Sequence, residues 1–339
     1  MSTRTNRIVA AVTVMAAALG VTACGGGAST GTEAASGGGS EVSLVAYSTP
    51  QAAMEEAIPA FQATDEGAGV TFKQSYGASG DQSRAVEAGL PADLGYFSLE
   101  GDVTRLVDAG MVAKDWNQDE YNGILTDSVV VLMVRPGNPE NIQTWDDLIK
   151  PGVEVIVPNP IASGGARWDF MAAYGYASGG GKDEAAGTQF LSDLLDNVSV
   201  QDTSARESLG TFTSGKGDVL IGYENEAIAA QDAGEDLEYV VPDSTLLIEN
   251  PAAVVNTGTA PDQAQAYLDF LHTDDGQEIL QSHGYRPVDK KLVDTKKFPT
   301  PSGLFTIGDL GGWSENSDKF FGESGIVTGL EEKLGVPTS

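Results

Sequence analysis

The sequence contains little cysteine, little histidine and little positive charge. Its 339 residues include one cysteine and two histidines. A single cysteine excludes a disulfide within the chain and a metal site built on cysteines, and two histidines leave few ligands for a transition metal. Only 19 basic residues accompany 49 acidic ones, which gives a formal net charge of −30. This charge argues against nucleic acids and anionic membrane surfaces as partners.

The N-terminus, by contrast, has the pattern of an export signal. Arg4 and Arg7 precede the apolar run IVAAVTVMAAALGV, which is too short to span a bilayer but long enough for a signal core. Small residues then precede Cys24, as in the lipobox of bacterial lipoproteins. We therefore interpret residues 1–23 as a lipoprotein signal peptide and Cys24 as the lipidated residue, which anchors the protein without a spanning helix. A plain secretory signal with an incidental cysteine is the alternative.

A low-complexity stretch follows this cysteine. Residues 25–40, GGGASTGTEAASGGGS, are mostly glycine and other small residues, and chains of this composition behave as flexible coil. We expect residues 24–40 to be the lipidated cysteine and a tether. The remaining chain is long enough for about two domains or lobes.

Apolar runs alternate with amphipathic stretches along the rest of the chain. Strands are predicted at 42–47, 70–76, 128–135, 153–158, 197–202 and 218–224. Helices are predicted at 50–64, 80–89, 166–178, 186–195, 205–214 and, with a break near Asp274–Gly276, 261–283. Strands that alternate with helices predict parallel sheets and hence an α/β fold.

A hydroxyl side chain stands at each of four predicted strand-to-helix joints. These residues are Ser48, Ser79, Ser163 and Ser204. Ser79 with Gln82, and Ser204 with Glu207, have the spacing of a capping box. Serine is an ordinary N-cap residue, so each joint on its own has a purely structural explanation.

The four joints together favour a binding site. In α/β sheets, ligands bind outside the carboxyl ends of the strands, where helix N-termini expose unpaired N–H groups and a partial positive charge. Gly164 and Gly165 follow Ser163 and leave room for a ligand to approach those N–H groups. Several such termini around one point would form a cage of neutral donors for an anion.

Four segments resemble the bacterial sulfate-binding proteins, the soluble receptors of sulfate and thiosulfate ABC importers. They are WDDLIKPGVEVIVPNPIASGGARWDFMAAYGYA (145–177), DVLIGYENEA (218–227), GYRPVD (284–289) and LFTIGDLGGW (304–313). The resemblance extends over about residues 42–314. It implies a two-lobed periplasmic-binding-protein fold of type II, with the ligand in the cleft between the lobes. It also implies a receptor rather than an enzyme, with no cofactor, that passes sulfate or thiosulfate to ABC permease subunits.

The resemblance also implies seven residues that donate hydrogen bonds to a dehydrated sulfate. They are Ser48, Ser79, Ser163, Gly164, Gly165, Ala205 and Tyr223. Ser163 would use its hydroxyl and Tyr223 its phenol, whereas both glycines and Ala205 would use their backbone N–H groups, as would the chain near Ser48. Tyr223 stands where the family commonly has tryptophan, and a phenol can accept as well as donate. Asp81 stands where the family often has lysine, and it adds a negative charge.

The lobes and the location of the protein follow from the same resemblance. The expected lobes are 41–127 together with 245–315, and 128–244, with crossovers at 128–135 and 237–244. Residues 316–339 form a C-terminal extension that could pack on either lobe. We expect a monomer, held by its lipid on the outer face of the cytoplasmic membrane.

Other functions stay open from the sequence. Another oxyanion, such as phosphate or molybdate, could use the same cage. Ser163 could be a nucleophile, but it needs a base, and His272 and His283 are better explained as surface or capping residues. Tyr223 with carboxylates could bind ferric ion, although a cleft rich in serine and glycine argues against it, and no residue is predicted as a metal ligand. An adhesin or structural lipoprotein is a further alternative.

Overall fold

Strands and helices alternate through residues 40–335, the part of the chain that the computed structural model describes. The predicted signal peptide, Cys24, the tether up to residue 39 and residues 336–339 lie outside the described residues. The strands are β1 (Glu41–Tyr47), β2 (Thr71–Gly77), β3 (Leu94–Tyr96), β4 (Ile124–Val134), β5 (Val155–Ile156), β6 (Val198–Val200), β7 (Val219–Tyr223), β8 (Glu238–Val240), β9 (Ser244–Val254) and β10 (Gly303–Phe305). The helices are α1 (Gln51–Gln62), α2 (Ser79–Glu87), α3 (Glu100–Asp108), α4 (Gly164–Ala177), α5 (Glu184–Asp196), α6 (Ala205–Thr213), α7 (Glu224–Asp232), α8 (Pro261–Leu271), α9 (Asp274–Ser282), α10 (Trp313–Phe321) and α11 (Ile326–Leu334). No helix between residues 40 and 335 is long and apolar enough to cross a membrane.

Two sets of parallel strands make up most of the sheet. β2, β1 and β3 are parallel neighbours in one set, and β7, β5 and β6 are parallel neighbours in the other. Parallel neighbours need crossover connections, which helices supply here. We call the half with β1–β3 and α1–α3 the first lobe, and the half with β5–β8 and α4–α7 the second lobe. The predicted α/β class is confirmed.

β4 and β9 run between the two lobes as an antiparallel pair. β4 pairs with β9 along its first half, where Asp127 faces Glu249, and with β7 along its second half, where Val130 faces Tyr223. The second crossover therefore differs from the expected one at 237–244. β8 lies in that stretch and pairs with β4 inside the second lobe, whereas β9 makes the crossing and ends on β3.

Each lobe has an apolar core because its strands are covered on both faces. In the first lobe, Phe97 and Leu106 are fully buried beside Val45 of β1. In the second lobe, Phe212 and Ile156 are fully buried in a cluster that includes alternate residues of β4. Strands buried on both faces have continuous apolar sequences, which is why the run SVVVLMV predicted β4 correctly.

The C-terminal extension packs mainly on the second lobe. α10 contacts α11, and α11 contacts α5, while α10 also contacts α3 of the first lobe. The ring of Phe320 stands edge-on to that of Tyr174 in α4, with centroids 4.6 Å apart. Gln201 Nε2 also donates a hydrogen bond of 2.8 Å to Glu331 Oε1. The extension thus covers α4, which ends the resembling segment 145–177, and α5, which follows it.

Candidate functional site

A small cavity lies where several helices begin at the carboxyl ends of the strands. The centre of a water-sized atom has a volume of about 10 Å³ available to it in this cavity, which is room for one small group. Six of the seven predicted site residues line it, namely Ser48, Ser79, Ser163, Gly165, Ala205 and Tyr223. The seventh, Gly164, is the first residue of α4. The structure thus brings together residues from five strand-to-helix joints that are far apart in the chain.

The start of α4 offers several unpaired donors. Ser163 is the N-cap, and its hydroxyl accepts a hydrogen bond of 3.3 Å from the N–H of Ala166. The Ser163 hydrogen itself stays available. Within residues 40–335, no group accepts a hydrogen bond from the N–H of Gly164 or Gly165. A Cβ at Gly165 would lie 3.3 Å from Ser163 Oγ and 3.5 Å from the Tyr223 ring, so glycine keeps this space open.

The start of α2 differs from the expected capping box. Ala78 is the N-cap, and Ser79 is already the first helical residue. The Ser79 hydroxyl donates to Asp102 at 2.6 Å and accepts from the N–H of Ser98 at 2.8 Å, while Gln82 pairs with Ser75. The predicted Ser79–Gln82 capping box is therefore wrong, because a buried carboxylate more than twenty residues away takes the hydroxyl. Ser79 can offer a ligand its backbone N–H only.

The start of α6 is closer to the capping box that the sequence predicts. Ser204 is the N-cap, and its hydroxyl accepts a hydrogen bond of 3.2 Å from the N–H of Glu207. The Glu207 carboxylate returns to the N–H of Thr203 at 3.1 Å, one residue before the position that a capping box predicts. The N–H of Ala205 has no acceptor among the described residues and lines the cavity.

The joint after β1 closes the cavity from the first lobe. The N–H of Ser48 has no acceptor among the described residues. The carbonyl oxygens of Ser48 and Thr49 accept long hydrogen bonds, of 3.4 and 3.3 Å, from the guanidinium of Arg206 in α6. Arg206 thus links the two lobes. Arg167 also lies away from the cavity, since its Nε donates to the carbonyl of Pro160 at 2.8 Å.

Ser98 lines the cavity but was not predicted from the sequence. It follows β3 and precedes α3, so it repeats the pattern of a hydroxyl at a strand-to-helix joint. Its Oγ lies 2.7 Å from the phenol oxygen of Tyr223. Burial raises the pKa of Tyr223 well above its usual value, so the phenol keeps its proton at neutral pH and can serve as a donor.

The acidic residues near the site are turned away from the cavity or neutralised. Asp81 forms an exposed ion pair with Arg84 at 2.5 Å. Glu224 accepts two hydrogen bonds from Arg286, at 2.7 and 3.0 Å. Burial raises the pKa of Glu226 to about 7. None of these carboxylates lines the cavity.

The surroundings of the cavity include no group suited to a base or a metal. Neither histidine lines it: the His272 ring contacts the carbonyl oxygens of Leu268 and Ile124, and His283 pairs with Glu56. Between residues 40 and 335 no cluster of three or more histidine, cysteine or acidic side chains could hold a metal ion. The arrangement can donate hydrogen bonds to a small anion, and its described residues offer Ser163 no partner for nucleophilic chemistry.

The comparison with known proteins agrees with this geometry. A family model described as "Bacterial extracellular solute-binding protein" matches residues 42–286. The chain belongs to this family. Its curated relatives include the "Sulfate-binding protein" of Synechococcus elongatus, 40% identical over 98% of both chains. They also include the "Thiosulfate-binding protein" of Pseudomonas aeruginosa, 34% identical over 83% of this chain and 89% of the relative.

A solved structure of a relative has a similar fold. The sulfate-binding protein SubI from Mycobacterium tuberculosis is 46% identical, with a TM-score of 0.82, over 83% of this chain and 99% of that chain. The two-lobed, type II solute-binding fold implied by the sequence is therefore confirmed, and the cavity lies between its lobes.

Proposed function

We propose that this solute-binding protein captures sulfate or thiosulfate outside the cytoplasm and delivers it to an ABC importer. The observation that carries the proposal is a small cavity that, among the described residues, is lined by unpaired N–H groups and hydroxyls and by no carboxylate. The four oxygens of a tetrahedral oxyanion are water-sized and lie close around one central atom, which matches a cavity this small. The printed names of the relatives point to the same ligands.

Seven donors would hold the anion. The backbone N–H groups of Ser48, Ser79, Gly164, Gly165 and Ala205 would each supply one hydrogen bond, and Ser163 and Tyr223 would each supply a hydroxyl. Burying a dianion costs several kcal/mol even after relaxation, whereas a hydrogen bond to a charged group contributes about 1.5–3 kcal/mol net. Seven such bonds offset the cost without any cationic side chain. A chain with a net charge of −30 can therefore bind an anion.

Selectivity for sulfate over phosphate would depend on whether the anion carries a proton. Phosphate near neutral pH carries a proton that needs an acceptor. The N–H groups of the cage cannot accept a hydrogen bond from it, which leaves only the hydroxyls as acceptors. A phosphate proton without an acceptor costs about 1–3 kcal/mol, whereas sulfate carries no proton at all. The turned-away positions of Asp81 and Glu224 support this reading, because neither carboxylate is placed to accept a proton from the ligand.

The lobes would close over the anion by a hinge motion. We propose that residues 41–127 with 245–315 form one lobe and residues 128–244 the other, with β4 and β9 as the connecting strands. Bonds between the lobes support a closed state in this structure. The N–H of Gly80 donates to the carbonyl of Ala162 at 3.1 Å, in addition to the bonds from Arg206.

The proposal also places the protein at the membrane surface. A lipid on Cys24 and the tether to residue 40 would hold a monomeric receptor on the outer face of the cytoplasmic membrane, within reach of the permease subunits. Labelling with a radioactive fatty acid tests this part, because a Cys24→Ser variant should lose the label and appear in the medium or periplasm.

Calorimetric titration of the purified protein tests the main proposal. Sulfate, thiosulfate, phosphate and molybdate are titrated separately at neutral pH. We expect tight binding of sulfate or thiosulfate and weaker binding of phosphate, because only a hydroxyl in the cavity can accept a hydrogen bond from the phosphate proton. Tight phosphate binding without a response to sulfate would contradict the specificity, and a lack of response to all four anions would contradict the function.

A further inference from the structure

Two hydroxyls from opposite lobes meet at the wall of the cavity. Ser98 follows β3 in the first lobe and Tyr223 ends β7 in the second lobe, and their side-chain oxygens lie 2.7 Å apart. Both residues are 1% exposed, and both line the cavity. This hydrogen bond therefore forms only when the lobes are together, directly beside the space for the anion.

The backbone of Ser98 is held in place on three sides. Its N–H donates to Ser79 Oγ at 2.8 Å, and its carbonyl accepts from Trp168 Nε1 at 2.8 Å and from Asn250 Nδ2 at 3.1 Å. Among the described residues, Tyr223 is the one hydrogen-bond partner of the Ser98 hydroxyl. The side chain is thus fixed in position, and only the direction of its O–H bond is free to change.

A count of hydrogens shows what this pair can do. The two hydroxyls carry two hydrogens, and the bond between them uses one. The other hydrogen stays available to a ligand in the cavity. Because a hydroxyl can donate and accept, the hydrogen bond can form in either direction. Ser98 can donate to Tyr223, or Tyr223 can donate to Ser98.

We infer that Ser98 determines the anion specificity of this site by acting through Tyr223. The inference rests on the proposed function. With a fully deprotonated dianion, Ser98 donates to the phenol oxygen and Tyr223 donates to the anion. In such a chain each hydrogen bond polarises the next and strengthens it, so Ser98 makes Tyr223 a better donor.

A protonated oxyanion reverses the direction of the hydrogen bond between Ser98 and Tyr223. Its O–H donates to the phenol oxygen, Tyr223 then donates to Ser98 Oγ, and Ser98 donates back to another oxygen of the anion. All hydrogens have acceptors in this ring. Without Ser98, the phenol that accepts from the ligand must place its own hydrogen elsewhere. The neighbouring Asn250 Oδ1 already accepts from Tyr47 at 3.0 Å and from Thr126 at 3.5 Å, which uses both of its lone pairs. Ser98 therefore makes this site more tolerant of protonated oxyanions than a cage of N–H donors alone.

The test is a Ser98→Ala variant of the full chain, titrated with sulfate and with phosphate at pH 8, where phosphate carries one proton. We expect sulfate affinity to fall severalfold and phosphate affinity to fall further, so that the ratio of the two affinities rises about tenfold in favour of sulfate, the effect of one unpaired polar group. If Ser98 had only a structural role, the variant would lose affinity for both anions by the same factor. Equal losses, or no change for either anion, would overturn the inference.

A double-mutant cycle shows whether Ser98 works through Tyr223. Because Ser98 acts on sulfate only through Tyr223 in this scheme, Ser98→Ala combined with Tyr223→Phe should bind sulfate as Tyr223→Phe does. Additive losses would overturn the coupling. Ser83→Ala is the matched control, since Ser83 is a buried serine whose hydroxyl donates to the Asp102 carbonyl at 2.7 Å and does not line the cavity. Its ratio of affinities should equal that of the unmodified protein.

Two further measurements distinguish a failure of this inference from a folding defect and from a failure of the proposed function. Thermal unfolding of each variant reports whether it is folded, and Ser98→Cys, which keeps most of the side-chain volume with a weak donor, replaces the alanine variant if that variant unfolds. It should shift the ratio in the same direction. A failure of the unmodified protein to bind sulfate would contradict the proposed function and this inference together, whereas uniform losses in a protein that binds sulfate would contradict this inference alone.

Discussion

Gly164 and Ser98 approach each other so closely across the two lobes that no side chain fits between them. A Cβ on Gly164 would lie 2.9 Å from both Cβ and Oγ of Ser98, and 3.0 Å from Leu99 Cγ. These distances are shorter than ordinary van der Waals contacts. Glycine at this position therefore lets α4 dock against the joint between β3 and α3.

Gly164→Val should abolish sulfate binding with little loss of stability. The side chain would hold the lobes apart, so the closed state that surrounds the anion could not form, while the core of each lobe would be unaffected. Calorimetric titration and thermal unfolding measure the two effects. Gly210→Ala is the control, because a Cβ at this helical position meets no atom within 4 Å. It should keep full affinity and gain about 0.5–1 kcal/mol of stability. Unchanged affinity in Gly164→Val would mean that the start of α4 lies outside the binding site.

Ser163→Ala should reduce both affinity and stability. Loss of the hydroxyl removes one donor to the anion, which costs about 1.5–3 kcal/mol of binding free energy, and it removes the N-cap of α4, which costs about 1 kcal/mol of folding free energy. Thr273→Ala is the matched control, since Thr273 caps α9 by accepting from the N–H of Gly276 at 3.2 Å and does not line the cavity. It should lose similar stability and no affinity. Equal affinity in the two variants would exclude Ser163 as a ligand.

The strand-to-helix joints were the most predictable part of the site. A serine followed by glycines after an apolar run identifies a helix start from local sequence alone, and helix starts in α/β folds share one edge of the sheet. Ser163 and Gly165 were found in this way, whereas Ala205 was implied by the family resemblance. The structure also confirmed that the hydroxyl of Ser204 caps its helix.

The remaining features depend on contacts that are distant in the chain. Ser98 was missed because β3 has only three residues and gives a weak strand signal. β9 was missed because Glu249, Asn250 and Pro251 interrupt its apolar pattern, although the pairing with β4 keeps Asn250 buried. The capping box at Ser79 failed because the partner of its hydroxyl, Asp102, comes from another helix. In each case tertiary structure overrides a local preference.

Glu226→Gln should stabilise the protein at alkaline pH. Burial raises the pKa of Glu226 from about 4.5 to about 7, so the folded state retains a proton that the unfolded state has lost between these two pH values. The free energy of unfolding therefore decreases as pH rises through this window, and the penalty is fully present above pH 7. Glutamine removes the penalty, and we expect a gain of about 1–3 kcal/mol at pH 8.

Denaturant unfolding at pH 5 and pH 8 measures this effect. The difference between Glu226→Gln and the unmodified protein should be small at pH 5 and large at pH 8. Glu235→Gln is the control, because Glu235 is exposed, and it should leave the unfolding free energy unchanged at both values. A gain of equal size at both pH values would show that packing of the amide, rather than proton binding, is responsible.

Salt should accelerate the capture of sulfate without changing its release. The net charge of −30 acts on an approaching dianion over a Debye length of about 30 Å at 0.01 M salt, and of about 8 Å at 0.15 M. We expect the association rate constant to rise severalfold over this range as the acidic surface is screened. The dissociation rate constant should stay constant, because the donors around the bound anion are buried. Stopped-flow fluorescence in sodium chloride measures both constants. If salt changed only the dissociation rate, the charges would act on the closure of the lobes rather than on the approach of the anion.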